Sequence, residues 1–236
     1  MTDATAALLR TIAQDPYAFW TQFYAQKFGA LNITIPPLPR LSRKIRERID
    51  DGSLLPIFLP TTLTQDDYPE DWIKSDWGRF IDDKQITHHP LPGRWVVIEL
   101  VYKPDWYDPL SYGGGNDLLA RELNLKTRFR LSLDHLRANL YTQTVELWDL
   151  KKSAVRSLFA EEWNHFGNIL LELNRLHGTQ FQNLGATASW EWTQNAYGSV
   201  DRVFVGYRGH GGLAAVDRGW SGHPSVNVGF RLLGVL

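Results

Sequence analysis

The segment GATASWEWTQNAYGSVDRVFVGYRGHGGLAAVDRGWSGHPSVNVGFRLLGVL, residues 185–236, is the most informative stretch of this chain. It opens with WEWT at residues 190–193 and closes with VGFRLL at residues 228–233. The residues between these two ends are rich in glycine and aromatic side chains and show little regular periodicity. Two regular ends around an irregular middle predict a rigid scaffold that presents a loop surface, and loops held on a scaffold commonly carry binding function.

The composition of this tail is also unusual. From Asn195 to Leu236 it contains no Lys, Glu, Gln or Met, although the rest of the chain uses all four. An asparagine codon whose two adenines are replaced at random cannot encode any of those four residues, and it cannot encode Trp. Between Asn195 and Leu236, only Trp220 lies outside the set that such a codon can reach. The pattern indicates adenine-directed variation, and the alternative is the biased composition common in Gly-rich loops.

The composition of the whole chain excludes several classes of protein. The 236 residues carry a net charge of -1, which gives no indication of nucleic-acid or anionic-membrane binding. There is no cysteine, so disulfides, thiolate metal sites and cysteine nucleophiles are excluded. No apolar run reaches membrane-spanning length, and the N-terminus lacks the features of a signal peptide. We expect synthesis in the cytoplasm and leave open display on a virion or a cell surface.

Periodicity predicts helices before and after a β-rich centre. Thr2 or Asp3 can cap a first helix, and Pro16 can open a second that Gly29 ends. A short helix is predicted over residues 42–51, and longer helices over 134–148 and 153–176. Strands are predicted over 54–59, 95–102 and 127–133, and short β-segments follow residue 186.

The predicted elements suggest a division of the chain near residue 95. Residues 1–95 form a helical N-terminal extension with the first strands, and residues 96–236 form the second part. Whether the two parts belong to one domain stays open at this point.

Residues able to carry catalysis are scattered. His88 and His89 are adjacent, so on an extended chain they point to opposite sides and rarely bind one metal ion. The glycine run at residues 113–115 lacks the Lys-Ser/Thr pair of a phosphate-binding loop. We therefore predict no catalytic residue, no metal site and no cofactor, and we consider an enzyme the weaker class.

Four short motifs of the tail resemble a known family. WEWT at 190–193, GGLAA at 211–215, HPS at 223–225 and VGFRLL at 228–233 resemble the formylglycine-generating-enzyme type of C-type-lectin fold. The resemblance is to the branch used by variable proteins of diversity-generating retroelements. In those systems, mutagenic reverse transcription randomises adenines in a template, and the product is a C-terminal variable region on a C-type-lectin scaffold. The resemblance covers about the last fifth of the chain well.

The resemblance implies a fold and a non-enzymatic role. The implied fold is α+β, with short twisted antiparallel strands, two helices at 134–148 and 153–177, and much irregular loop. The variable region would span about residues 195–228. The catalytic relatives use cysteines or a His-rich metal site, and this chain has neither pattern.

The tail residues are thus expected to fall into a scaffold set and a ligand-binding set. Trp190 and Trp192 share one strand face by the period of two, and Arg231 fits a buried guanidinium that fastens loop carbonyls. The expected scaffold is Trp190, Trp192, Pro224, Gly229, Phe230 and Arg231. The expected ligand-binding residues are Asn195, Tyr197, Tyr207, Arg208, His210, Leu213, Asp217, Trp220, His223, Ser225 and Asn227.

The partner of such a surface cannot be named from the sequence, and we expect a protein or cell-surface ligand. Trp220 is either invariant scaffold or an argument against adenine-directed variation. One alternative function is a virion or surface structural protein of the same fold with a fixed tail. A further alternative is an enzyme of the formylglycine-generating type with unfamiliar residues.

Overall fold

The structure is a computed structural model that describes residues 2–77, 85–108, 112–151 and 153–236. The chain is an α+β protein, 41% helical and 18% strand. The described helices are α1 (Asp3–Gln14), α2 (Pro16–Phe28), α3 (Arg43–Asp50), α4 (Leu118–Glu122), α5 (Leu133–His135), a π-helical turn (Leu136–Leu140), α6 (Tyr141–Trp148) and α7 (Ala160–His177). The described strands are β1 (Leu54–Leu59), β2 (Arg94–Glu99), β3 (Val155–Ser157), β4 (Trp190–Tyr197), β5 (Asp201–Val205), β6 (Val216–Trp220), β7 (Val228–Gly229) and β8 (Leu232–Val235).

The first three helices begin where the sequence predicts. The Thr2 hydroxyl accepts a hydrogen bond from the Thr5 N–H, and the Ser42 hydroxyl accepts one from the Ile45 N–H. These side chains satisfy amide groups that have no partner within the helix. Pro16 occupies the first turn of α2, where its missing N–H costs nothing. Local capping chemistry therefore sets these boundaries.

The strands form two four-stranded sheets that share the tail. The first sheet has the order β1-β2-β8-β3, and the second has the order β6-β5-β4-β7. The tail enters the second sheet at β4 and leaves it at β7, which runs parallel to β4. It then ends as β8 between β2 and β3. Both ends of the segment between β4 and β7 are thus fixed within sheets.

The N-terminal helices pack into the same core as the tail. Trp20 donates its indole N–H to the Pro56 carbonyl over 2.7 Å, and Tyr24 donates its hydroxyl to the Phe58 carbonyl over 2.8 Å. These two contacts fasten α2 to β1, and β1 pairs with β2 along its whole length. A division at residues 95/96 would cut through β2. The packing therefore favours one domain over an extension followed by a separate domain.

Three predicted element boundaries differ from the structure. Residues 127–132 are irregular rather than extended, since Arg130 adopts a φ of 62° and the Arg128 side chain turns into the core. Helix α7 begins at Ala160 instead of residue 153, because residues 155–157 pair with the C-terminal strand as β3. Strand β2 ends at Glu99 rather than 102, where the Glu99 carboxylate turns into a buried ion cluster.

Burial of His165 in α7 makes the free energy of unfolding depend on pH. Its imidazole is fully buried, stacks against Tyr24 and lies 5.4 Å from the Trp72 ring. Burial lowers the pKa of His165 from 6.5 to about 3. Above pH 6.5 the imidazole is neutral in both the folded and unfolded chain, and its contribution to stability is complete. As the pH falls from 6.5 towards 3, the unfolded chain takes up a proton that the folded chain refuses, so stability decreases.

We expect this group to remove about 1.4 kcal/mol of unfolding free energy per pH unit below 6.5. Urea unfolding between pH 7.5 and 4.5 measures the slope. His165→Phe should have a shallower slope than the wild type, while the exposed His223→Phe should keep the wild-type slope. Equal slopes for His165→Phe and the wild type would show that His165 is not buried as a neutral group.

Candidate functional site

The expected scaffold residues of the tail form the inside of the second sheet and its attachment to the first. Trp190, Trp192, Gly229, Phe230 and Arg231 are all buried, with exposed fractions of 4% or less for the four that have side chains. A Cβ at Gly229 would collide with the Tyr112 hydroxyl, which explains why a glycine stands there. In contrast, Pro224 is exposed on the loop between β6 and β7.

Trp190 carries the first group of expected binding residues. The Tyr207 ring stacks on it at a centroid distance of 5.2 Å and an angle of 19°. The His210 ring meets both Trp190 and Tyr207 edge-on, at 5.4 and 5.2 Å. His210 and Arg208 are exposed and Tyr207 is half-buried, so these three project from a short 3₁₀ turn above a fixed indole. Such rings combine large contact area with low rotamer entropy, which suits a binding surface.

The second group lies on the loop that returns from β6 to β7. The Ser225 hydroxyl donates to the Asn227 Oδ1 atom over 2.7 Å, and the Asn227 carbonyl accepts from the Trp190 N–H over 2.8 Å. The His223 N–H donates to the Trp220 carbonyl over 3.0 Å, and the His223 side chain is exposed. The main chain of this loop therefore bonds to Trp190, His223 is exposed, and Ser225 and Asn227 are half-buried.

The third group lies on β6. Asp217 is half-buried opposite Phe204, and Trp220 pairs with Asp201 at the other end of the strand. The Trp220 side chain is 59% exposed, which is high for an indole. Because it is this exposed, Trp220 is not a buried scaffold residue. Between Asn195 and Leu236, Trp220 is thus the one residue that adenine replacement in an asparagine codon does not explain.

Three residues expected to bind ligand are inside the protein. Asn195 is fully buried, where its Oδ1 accepts from the Ala160 N–H over 2.7 Å and its Nδ2 donates to the Thr87 carbonyl over 3.0 Å. Asn195 thereby satisfies the first turn of α7. Leu213 is buried against Gly167 of the same helix, and the buried Tyr197 ring lies under the Arg218 guanidinium at 4.1 Å. We exclude these three from the candidate surface.

Groups outside the tail add to the hydrogen bonds that its own strands make. Asn164 of α7 donates its Nδ2 to the Leu213 carbonyl over 2.9 Å, and the Asp76 N–H donates to the Ala214 carbonyl over 2.7 Å. The Arg130 N–H donates to the Ser225 carbonyl over 3.0 Å. Main-chain carbonyls are present whatever side chain follows, so these bonds do not depend on the identity of the displayed residues.

Lys103 binds the main chain on both sides of β4 and β5, at Ser189 and Gly206, from inside the protein. Its Nζ donates to the Gly206 carbonyl over 2.7 Å and to the Ser189 carbonyl over 2.9 Å, and the side chain is fully buried. Burial lowers the pKa of Lys103 to about 7, against the opposing effect of the Glu191 carboxylate. A Cβ at Gly206 would meet the Trp163 ring at 2.5 Å and Lys103 Nζ at 2.9 Å, so this crossing requires a glycine.

A buried ion pair joins the two ends of the tail. Arg231 contacts the Glu191 carboxylate through Nε and Nη2, each over 3.3 Å, and donates Nη1 to the Glu99 carbonyl over 2.6 Å. Trp163 and Tyr112 also donate to Glu191, over 2.6 and 3.0 Å. Burial raises the pKa of Glu191, but Arg231, Lys103 and these hydrogen bonds outweigh it and leave that pKa below its ordinary value. The ion pair between Glu191 of WEWT and Arg231 of VGFRLL thus joins the start of the tail to its end.

A second buried ion cluster adjoins this pair. Arg128 spans the Glu99 and Asp117 carboxylates with four hydrogen bonds of 2.6–2.7 Å, and Glu99 also accepts from the Leu232 N–H. Sequence analysis did not identify Lys103, Arg128 or Asn164 as functional. Each lies in an ordinary local pattern, and only the fold brings its polar atoms to a tail carbonyl or to a buried carboxylate.

Comparison with known proteins finds no relative of this chain. No protein-family model, no curated protein and no solved structure matches this chain. Within the described ranges, no cluster of three His, Asp or Glu side chains is arranged to hold a metal ion. Helices of the described part fall short of the length and apolarity that crossing a membrane requires. The function must therefore be argued from the geometry of the tail.

The isolated motifs noted in the sequence have structural contacts. The His88 Nδ1 atom lies 3.2 Å from Glu161 Oε1, and the His89 ring stacks on Phe159 at 3.9 Å. The two imidazoles therefore have separate partners. The glycine run at 113–115 lies in a 3₁₀ turn, Tyr112–Gly115, that leads towards the Asp117 cap of α4.

Proposed function

We propose that this chain is a non-enzymatic binding protein of the C-type-lectin type, whose tail is a diversified ligand-binding surface produced by a diversity-generating retroelement. The observation that carries the proposal is the separation of roles within the tail. Buried side chains fix the two ends of the tail. In the middle, main-chain carbonyls accept hydrogen bonds from groups outside the tail. The exposed and half-buried side chains of the middle segment are therefore available for variation.

The surface consists of the exposed and half-buried residues of the three groups. They are Tyr207, Arg208, His210, Asp217, Trp220, His223, Ser225 and Asn227. Aromatic and arginine side chains dominate measured binding energies at protein interfaces, while Ser, Asn and His provide adaptable hydrogen bonds. Leu213, Asn195 and Tyr197 are excluded because they are buried. The partner is a protein or cell-surface ligand, and variation of the surface would change its identity.

The residue types at the exposed positions agree with the proposed mechanism except at one site. Every one of these positions apart from Trp220 holds a residue that an asparagine codon can reach by replacement of its adenines. A fixed-sequence structural protein of the same fold is the rival, and it needs no such restriction.

Sequencing the DNA around the gene tests the proposal directly. We expect a near-copy of the segment that encodes residues 195–228, with differences confined to adenines of the copy, next to a reverse-transcriptase gene. The copy should carry an adenine-containing codon at the exposed positions above. A locus without a copy and without a reverse transcriptase would support the fixed-tail structural protein instead.

The proposal also predicts the effect of tail substitutions on stability. Asp217→Ala, Trp220→Ala and His223→Ala should each change the free energy of unfolding by less than about 0.5 kcal/mol, because none of these side chains is buried. The control is Leu213→Ala in the same segment, which should cost about 2–5 kcal/mol through loss of a buried side chain. Urea denaturation measures both. Equal costs for the exposed set and for Leu213 would mean that the surface side chains are structural.

A further inference from the structure

A cavity outside the tail has the features of a small-molecule site. It has a volume of about 490 Å³ and lies between the N-terminal helices, the end of β2 and the start of α4. Volumes of about 300–1,000 Å³ are typical of ligand pockets. Its rim includes the exposed Tyr102 and Asn116, so it opens to solvent. None of its lining residues comes from beyond Gln182, so it is separate from the proposed variable surface.

The deepest charged groups of this cavity are the Glu99–Arg128–Asp117 cluster. Glu99, Arg128 and Asp117 have exposed fractions of only 4%, 1% and 7%. Hydrogen bonds from Arg128 weigh against burial and hold the pKa of Asp117 below its ordinary value, so this carboxyl is ionised at neutral pH. Two carboxylates and one guanidinium leave one net negative charge at the cavity.

The nearby cations do not cancel this charge. Arg48 also lines the cavity, but its Nη2 is held by both oxygens of Glu122, over 2.6 and 2.5 Å. Arg231, which lies behind Glu99, is paired with Glu191. The lining residues of the described chain that carry charge are Arg48, Glu99, Asp117 and Arg128. Because Glu122 offsets Arg48, the remaining Glu99, Asp117 and Arg128 carry one net negative charge, which a positively charged ligand would balance.

Both carboxylates also retain hydrogen-bonding capacity. Glu99 accepts two bonds from Arg128 and one from the Leu232 N–H. Asp117 accepts two bonds from Arg128 and one from the Ala120 N–H. An ionised carboxylate offers about four acceptor positions, so each of these two can accept one more donor. An ammonium group carries three donors and can supply both bonds.

The walls of the cavity fit an apolar or aromatic body. Leu54, Leu119 and Trp148 are buried in the wall, and Phe181 is half-buried beside them. These side chains favour an apolar or aromatic ligand body at this wall. We infer that this cavity binds a small organic amine, with its ammonium group at Glu99 and Asp117 and its apolar part against Trp148.

Titration calorimetry of the wild-type protein at pH 7.4 tests the charge requirement. The three probes share one indole ring and differ in the end group: tryptamine is cationic, tryptophol is neutral and indole-3-propionate is anionic. We expect tryptamine to bind with a Kd below about 5 mM and at least about tenfold more tightly than tryptophol. Indole-3-propionate should give no binding. Absence of tryptamine binding, or equal affinity for tryptophol, overturns the inference.

A pair of variants on one helical segment tests the location. Leu118 lines the cavity and Leu123 does not, and both are half-buried at opposite ends of α4. Leu118→Trp should abolish tryptamine binding by filling the cavity, while Leu123→Trp should retain the wild-type Kd. Unchanged binding by a folded Leu118→Trp would place the amine elsewhere and overturn the site. If Leu118→Trp does not fold, the comparison of the three probes on the wild type still decides the charge requirement.

Discussion

Replacing Arg231 by methionine is expected to lower the free energy of unfolding by about 3–5 kcal/mol. The guanidinium is 1% exposed and is the cation that faces the Glu191 carboxylate across 3.3 Å. Removing it leaves the buried Glu191 carboxylate without its ion-pair partner, with Lys103 still acting on it, and leaves the Glu99 carbonyl without its donor. Breaking one side of a buried pair typically costs this amount. Urea unfolding at pH 7.5 measures the loss.

A matched substitution separates the ion pair from the general effect of losing an arginine. Arg208→Met removes the same charge at an exposed tail position and should change the free energy of unfolding by less than about 0.5 kcal/mol. The double variant Arg231→Met/Glu191→Gln should recover part of the loss, because it no longer buries an unpaired charge. If Arg231→Met were as stable as Arg208→Met, the two ends of the tail would not be held by this pair.

The second large effect is expected for Gly185→Ala, a change of one methyl group. A Cβ at residue 185 would collide with the main chain at Gly212 and Leu213, and main-chain atoms cannot rotate away as a flexible side chain can. Overpacking of this kind costs about 1–3 kcal/mol and sometimes more. It would also displace the loop that carries Tyr207 and His210, so binding through that loop should fall together with stability.

Gly29→Ala provides the control for this change. Gly29 has a φ of −54° and no heavy atom within 4 Å of the added Cβ. The alanine therefore introduces neither backbone strain nor a clash, and it should leave the melting temperature unchanged or raise it slightly, since Ala restricts the unfolded chain more than Gly does. Equal melting temperatures for Gly185→Ala and Gly29→Ala would contradict the close contact between residue 185 and the tail loop.

Local sequence signals predicted the α+β class and several individual elements. The capping residues Thr2 and Ser42, the proline at the start of α2 and the apolar run of β1 are each sufficient to define an element. Residues 127–132 were mispredicted because alternation of polar and apolar residues does not reveal that a polar member, Arg128, is buried. Its burial depends on Glu99 and Asp117, which lie distant in the sequence.

Burial separates the residues expected to bind ligand, since Asn195 and Tyr197 on β4 and Leu213 in a 3₁₀ turn are buried and the others are exposed or half-buried. The period of two correctly places Trp190 and Trp192 on one buried face. It also places Asn195 and Tyr197 on the opposite face of β4. These two residues would be exposed only if that opposite face met solvent. Helix α7 covers that face, as the Asn195 contact with Ala160 shows. The packing of a helix on a sheet is a long-range property that strand periodicity cannot supply.

The most direct test of the display scaffold compares two libraries of the full chain on the surface of yeast. One randomises Tyr207, Arg208, His210, Asp217, Trp220, His223, Ser225 and Asn227, and the other randomises the same number of buried tail positions, including Trp190, Leu213, Phe230 and Arg231. Resistance to protease measures the folded fraction of each library. We expect most members of the first library to fold as the wild type does and few members of the second library to fold. Similar folded fractions in the two libraries would contradict this expectation.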